Sequence, residues 1–129
     1  MPSHALAGSR VLIVEDEYYI ADDARAALAD AGVEVLGPVA TVAQARAQIE
    51  AGTKIDAVLL DLNLQGEMAF EVADALQSRG LPFAFVTGYD RAALPERFVD
   101  TMSVQKPVSP EKLVRVFETL ATSKPNAST

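Results

Sequence analysis

The amino-acid sequence predicts an α/β protein, a doubly wound (βα)5 sandwich around a five-stranded parallel sheet. Short apolar runs of strand length alternate with longer amphipathic segments along the whole chain. Strands that are apolar throughout belong in a sheet covered on both faces, and strands followed each time by a helix belong in a parallel one. Right-handed crossovers then leave the doubly wound arrangement as the economical topology for ~125 residues, since an eight-stranded barrel needs about twice that length.

The run VLIV (11–14) is of β-branched character and too short for a helix, so it reads as a buried strand. Residues 17–31 are rich in alanine and charge and set Ile20, Ala24, Leu28 and Ala31 on one helical face, with Gly32 at the C′ position. Residues 33–39 read as a second strand, closed by Gly37-Pro38 or just after it. Thr41 and Gln44 have capping-box spacing for a second helix that runs to Ala51-Gly52. AVLLD (57–61) is a third buried strand. Ala69, Phe70, Ala73 and Leu76, with Val72, line a third helix that ends at Gly80-Leu81-Pro82. Residues 83–87 form a fourth strand, a weak proline-broken helix lies between Asp90 and Val99, and residues 102–105 form a short fifth strand. Ser109-Pro110 supplies an N-cap and an N1 proline to the last helix, which is striped by Leu113, Val116, Phe117 and Leu120. Residues 1–8 read as a flexible N-terminal tail, 9–122 as one domain and 123–129 as a flexible C-terminal tail.

Composition narrows the chemistry. Half of the 129 residues are apolar, enough to build one core. A net charge of −7 with no offsetting Lys/Arg cluster disfavours nucleic acid. The absence of cysteine removes disulfides, thiolate catalysis and Cys-ligated metals. The single histidine, His4, falls in the N-terminal tail, which argues against His-rich metal sites and a Ser-His-Asp triad. No stretch approaches the ~20 apolar residues of a membrane span, and the opening residues lack the charged and apolar regions of a signal peptide. A cytoplasmic protein without nucleic-acid or membrane partners is expected, working with carboxylate, hydroxyl, lysine and backbone chemistry.

In a doubly wound sheet the ligand lies at the carboxyl ends of the strands. The first strand ends in Glu15-Asp16, the third in Asp61, the fourth in Thr87-Gly88 and the fifth in Gln105-Lys106-Pro107, while the second ends in Gly37-Pro38 with no functional side chain. Each has an ordinary reading: acidic residues before a helix complement its dipole, an Asp after a strand caps a turn, and a lysine before a proline sits in solvent. Together those readings leave the convergence of the set unexplained. Two carboxylates ~4 Å apart repel by ~4 kcal/mol at an effective dielectric of ~20, so Glu15, Asp16 and Asp61 invite a divalent cation. Hard oxygen ligands without His or Cys suit Mg²⁺, which pairs with substrate phosphate. Thr87, Lys106 and the backbone N–H at Gly88 suit phosphoryl oxygens.

The set VLIVEDE (11–17), LLDLNLQGE (59–67), VTG (86–88) and KP (106–107) resembles the receiver domain of two-component response regulators, in the right order over roughly residues 9–122. The resemblance implies a flavodoxin-like fold and a set of roles. Asp61 would be the phosphoacceptor, taking a phosphoryl group from the phosphohistidine of a histidine kinase or phosphotransfer protein. Asp16 would bind Mg²⁺ directly, Glu15 mainly through metal-bound water, and Asn63 through its backbone carbonyl. Thr87 and Lys106 would contact phosphoryl oxygens, and Pro107 would follow a cis peptide bond. Such a protein is a phosphoacceptor that catalyses only its own phosphorylation and dephosphorylation, and is not an enzyme in the ordinary sense.

The sequence also departs from the family pattern. The fifth-strand position three residues before the lysine, commonly Tyr or Phe, is Ser103, so the usual coupling of threonine to that ring is absent. The position four after the acceptor, often proline, is Gln65. PFAFVTGYD (82–90) is similar to the PFxFATGY pattern of the FATGUY subfamily, with Val86 in place of its alanine, and with LDLNLQGE it resembles receivers that serve HWE or related HisKA-type kinases. Tyr89 is then a candidate switch residue, its alternative reading being a surface tyrosine in a loop. The expected protein is a single-domain response regulator whose output passes to a partner through the face of the fourth helix, fifth strand and fifth helix. Its alternatives are a phosphate sink that drains a kinase, and a phosphorylation-independent binding module. A phosphatase of the haloacid dehalogenase type would want an acid two residues after its nucleophile, where this chain has Asn63.

Overall fold

The computed structural model describes residues 6–122. The elements run β1 (Arg10–Val14), α1 (Tyr18–Asp30), β2 (Glu34–Val39), α2 (Val42–Glu50), β3 (Ala57–Leu60), β4 (Asn63–Leu64), β5 (Glu67–Met68), α3 (Phe70–Ser78), β6 (Phe83–Thr87), β7 (Met102–Gln105) and α4 (Pro110–Thr122). Five strands form a parallel sheet in the order β2-β1-β3-β6-β7. This is the doubly wound, flavodoxin-like order, with its topological switch between β1 and β3.

Alternation along the strands assigns each residue to a layer. Leu12, Val14, Val58, Leu60, Phe83 and Phe85 pack with Val42, Ala45 and Ile49 of α2 and Val72, Ala73 and Leu76 of α3. Val11, Ile13, Ala57, Leu59, Ala84, Val86 and Val104 face Ala24 and Leu28 of α1 and Leu113, Val116, Phe117 and Leu120 of α4. The last helix buries all four residues of its expected stripe, and Ser109 Oγ accepts the Lys112 amide at its N-terminus. Thr41 caps α2 by accepting the Gln44 amide at 3.0 Å, and Gln44 returns a bond to the Ala40 amide, one residue before the cap. Among the described residues no helix is long and apolar enough to cross a membrane.

Three features differ from expectation. The segment between Asp90 and Val99 is not an α-helix but two 3₁₀ turns, Arg91–Ala93 and Glu96–Phe98. Pro95 breaks the ladder, because a residue before proline is pushed out of the helical region. Asp90 satisfies the amides of Ala92 and Ala93. The second turn is pinned by Phe98, which is fully buried against Phe70, Phe83 and Phe85, and by Arg97, which pairs with Asp74 at 2.8 Å and lies over the Phe98 ring. The expected output face therefore has no α-helix between β6 and β7; the second turn packs against α3 through Arg97–Asp74 and Phe98–Phe70.

Second, β4 and β5 form a small antiparallel hairpin directly after Asp61. Gln65 and Gly66 turn it, both at positive φ (54° and 85°), the region that favours glycine. As expected, β2 runs through Gly37-Pro38 to Val39, with a register shift opposite Leu12 to Val14. Gly37 has φ +85°, and a Cβ there would lie 2.8 Å from the Val39 nitrogen, so this position needs glycine. The Gly37-Pro38 and Lys106-Pro107 bonds are both cis. Third, the expected tail of residues 1–8 is wrong at its inner end. Leu6 is buried at 1 % exposure among Val11, Leu28 and Phe117, and Gly8 donates to Gly32. His4 and the expected tail 123–129 lie outside the described residues.

Candidate functional site

The central strands deliver the acidic residues. Glu15 and Asp16 follow β1 and Asp61 follows β3, and the Asp61 amide donates to Val14 O at 2.8 Å, so the pairing of the two strands holds their ends side by side. The Glu15 amide donates to Val39 O at 2.9 Å, which ties the end of β2 to the same edge. Carboxylate oxygens of Glu15, Asp16 and Asp61 lie within 4.8 Å of one another. Glu15 and Asp61 are buried, at 6 % and 5 % exposure. Thr87 ends β6 at 1 % exposure, and its carbonyl accepts the Lys106 amide at 2.8 Å, which sets the start of the post-β7 segment. Asp16, Glu17, Asp61, Asn63, Thr87, Gly88, Tyr89 and Lys106 line one pocket of about 280 Å³.

Lys106 is the electrostatic centre. Its Nζ lies 3.0 Å from Glu15 Oε1 and 3.3 Å from Asp61 Oδ2, and it also pairs with Glu17. Burial pushes the Glu15 carboxyl up to about 8, reinforced by the neighbouring Asp61. Burial likewise raises the Asp61 carboxyl, against the pull of Lys106. The three acids around Lys106 hold its ammonium above the ordinary lysine range, overcoming the opposing cost of its burial. The cluster is thus under charge stress that a cation would relieve, and its donors are the hard oxygens that Mg²⁺ prefers. The residues fit that ion.

Polar bonds shape the rest of the pocket. The Asn63 amide donates to Asp61 Oδ1 at 3.3 Å, and the Gln65 amide to Asp16 Oδ2 at 2.8 Å. Thr87 Oγ1 accepts the Tyr89 amide at 3.1 Å and retains its own proton to donate. A Cβ on Gly88 would meet nothing within 4 Å, so the packing does not require glycine there and the space opens on the pocket. Tyr89 is exposed, and its hydroxyl accepts from Asn63 Nδ2 at 3.2 Å.

Of the residues singled out in the sequence, Glu15, Asp16, Asp61, Asn63, Thr87, Gly88, Tyr89 and Lys106 come together; Ser103 does not join them. It lies on β7 opposite Phe85 in register, half-buried away from the pocket. Two participants were missed. Glu17 read only as part of an acidic helix start, yet at the N-cap of α1 its side chain makes no capping bond and reaches Lys106 instead. Gln65 contributes its backbone N–H to Asp16, a role that its positive φ permits and that side-chain type does not signal.

A doubly wound sheet with a buried carboxylate just after β3, two acids after β1, a hydroxyl at the end of β6 and a lysine after β7 defines a class of phosphoryl-accepting signalling domain. The family model for the response regulator receiver domain matches residues 11–118, and the chain belongs to that family. It is similar to the sensory transduction protein LytT of Bacillus anthracis, 32 % identical over 113 residues. That match covers 84 % of this chain and 46 % of LytT, so the chain spans about half the length of the curated relative. Among solved structures it is similar to SdrG from Sphingomonas melonis Fr1, with TM-score 0.75, 39 % identity and coverage of 92 % of this chain and 98 % of that one. The receiver domain of PhyR from Erythrobacter litoralis gives TM-score 0.81 at 26 % identity, covering 97 % and 98 %.

Proposed function

We propose that the chain accepts a phosphoryl group onto Asp61 in a Mg²⁺-dependent reaction and passes its state to a protein partner. The observation that carries this reading is the placement of the buried Asp61 between two neighbouring acids and a lysine 3.3 Å away, at the mouth of an open pocket. An Asp61 oxygen attacks phosphorus, the P–N bond of a donor phosphohistidine breaks, and the imidazole leaves with the electron pair. Lys106 and the Thr87 hydroxyl hold phosphoryl oxygens, and the backbone N–H of Gly88 donates to another. Glu15, Asp16, Asp61 and the Asn63 carbonyl would hold Mg²⁺, which supplies neutralisation of the charge on the transferred group. Positioning and charge compensation carry the chemistry, since the loose transition state needs little covalent help.

Residues 9–122, extended inward to Leu6, are the unit that does this. The PFAFVTGYD run (82–90), with SdrG and PhyR among the similar structures, supports the FATGUY assignment, which implies a donor of the HWE or related HisKA type, and the net charge of −7 without a Lys/Arg cluster argues against a nucleic-acid partner. Phosphotransfer from a phosphorylated HWE-type kinase domain tests the reading. Transfer to the wild type that disappears in Asp61→Asn is expected; equal labelling of both would overturn it.

A further inference from the structure

The Lys106 ammonium has three N–H donors, and all three go to carboxylates: Glu15 Oε2 at 3.1 Å, Asp61 Oδ2 at 3.3 Å and Glu17 Oε1. A phosphoryl oxygen can therefore bond this ammonium only by displacing one of them. The three are not equally held. Glu15 and Asp61 are buried, and each has a further bond: Glu15 Oε2 accepts the Glu17 amide at 3.0 Å, and Asp61 Oδ1 accepts the Asn63 amide at 3.3 Å. The Glu17 side chain is 58 % exposed and lines the pocket, and among the described residues its carboxylate accepts from Lys106 alone. It stands at the N-cap of α1 yet caps no amide of that helix. Glu17 is thus the one partner of Lys106 that can leave for water.

We propose that Glu17 is a latch on Lys106, a positioning residue that holds the ammonium in the resting site and must release it before a phosphoryl group can seat. The proposal rests on phosphoryl acceptance at Asp61. A group bound to Asp61 brings negative oxygens to Lys106 Nζ, beside the Glu17 carboxylate. The two anions repel and compete for one N–H, so the exposed carboxylate turns out to solvent, where hydration replaces its bond. Lys106 stays protonated throughout; the exchange changes its ion-pair partner and moves no proton. The latch opposes acceptance by the strength of one exposed ion pair. Contact, and not charge alone, is what the proposal requires, and aspartate separates the two. At position 17 it keeps the charge on a side chain one methylene shorter. On the extended backbone of this N-cap it is also a strong capping residue, drawn to the amides of its own helix and away from Lys106.

Beryllofluoride, a mimic of a bound phosphoryl group, tests this in titrations at saturating Mg²⁺ that follow the Gly88 amide by NMR. Glu17→Gln, a weaker and neutral acceptor, should bind it about two- to fivefold more tightly than the wild type, the size of an exposed ion pair. Glu17→Asp should match Glu17→Gln, since it keeps the charge and loses the contact. A second readout is the Glu17 side-chain carboxyl carbon resonance, identified by its absence from Glu17→Gln. In the wild type it should move on beryllofluoride binding into the range of solvated glutamates. Wild-type affinity in either variant, or a Glu17 resonance that stays in place, would overturn the latch while leaving phosphoryl acceptance intact. No beryllofluoride binding by any of the three proteins would overturn both.

Discussion

Lys106 Nζ sits 3.3 Å from Asp61 Oδ2 and 3.0 Å from Glu15 Oε1, bringing together residues that are 45 and 91 positions apart in the chain. One ammonium thus offsets two buried carboxyls as well as the exposed Glu17, and it does so at the place where a phosphoryl group would add further negative charge. The same contact that stabilises the resting site preorganises it for an anion.

Replacing this lysine exposes the arrangement. Lys106→Met leaves Glu15 and Asp61 buried without their counter-charge, which we expect to cost about 1–3 kcal/mol at pH 8, less than the full penalty for breaking a buried pair because either carboxyl can escape by taking a proton. For that reason the loss should shrink near pH 5. Urea unfolding at the two pH values checks it, and a loss that is the same at both would contradict the electrostatic origin.

The raised carboxyls set a pH dependence of definite sign. A group whose folded pKa exceeds its unfolded value favours its protonated form in the fold. Its contribution to stability is complete below the unfolded value, 4.5 for Glu15, and is lost as pH rises through the folded value of about 8. Metal-free protein should therefore lose Tm between about pH 5 and pH 8. Mg²⁺ binds the ionised carboxylates, so its stabilising increment should grow over the same interval. Thermal melts with Mg²⁺ or with chelator measure both slopes, and an increment that falls with pH would speak against the acidic cluster as the metal site.

Phe98 anchors the two 3₁₀ turns. Fully buried among Phe70, Phe83 and Phe85, it should cost roughly 3–5 kcal/mol when cut to alanine. Amide exchange should then accelerate across residues 91–99 more than in β1 or β3. Uniform acceleration would mean that the ring serves the whole core and not this segment in particular.

Thr41→Ala offers a local control at a residue that does not line the pocket. It removes the bond to the Gln44 amide and should destabilise the protein by about 1 kcal/mol. Denaturant titration reads the loss, and phosphoryl acceptance measured on the folded variant should be unaltered.

How much of this was legible in the chain follows from the range of each interaction. Strands such as 11–14 and 57–60 announce themselves because burial on both faces demands unbroken apolar runs. The carboxyl-edge rule then gathers Asp16, Asp61, Thr87 and Lys106 without any knowledge of contacts. The two-residue strands β4 and β5 carry no periodicity to read, and the 3₁₀ turns look like a poor helix until Phe98 is seen to hold them. Leu6, a lone apolar residue among alanines, gives no local sign of its burial. The pairing of Glu17 with Lys106 joins positions 89 apart, so only the folded sheet reveals it.

The most direct measurement is intact mass after incubation with a small phosphodonor such as acetyl phosphate. With Mg²⁺, the wild type should gain one phosphoryl group, and neither Asp61→Asn nor wild type in chelator should gain any. A Mg²⁺-independent adduct, an adduct retained in Asp61→Asn, or no adduct on the wild type would contradict the assignment of Asp61 as the phosphoacceptor.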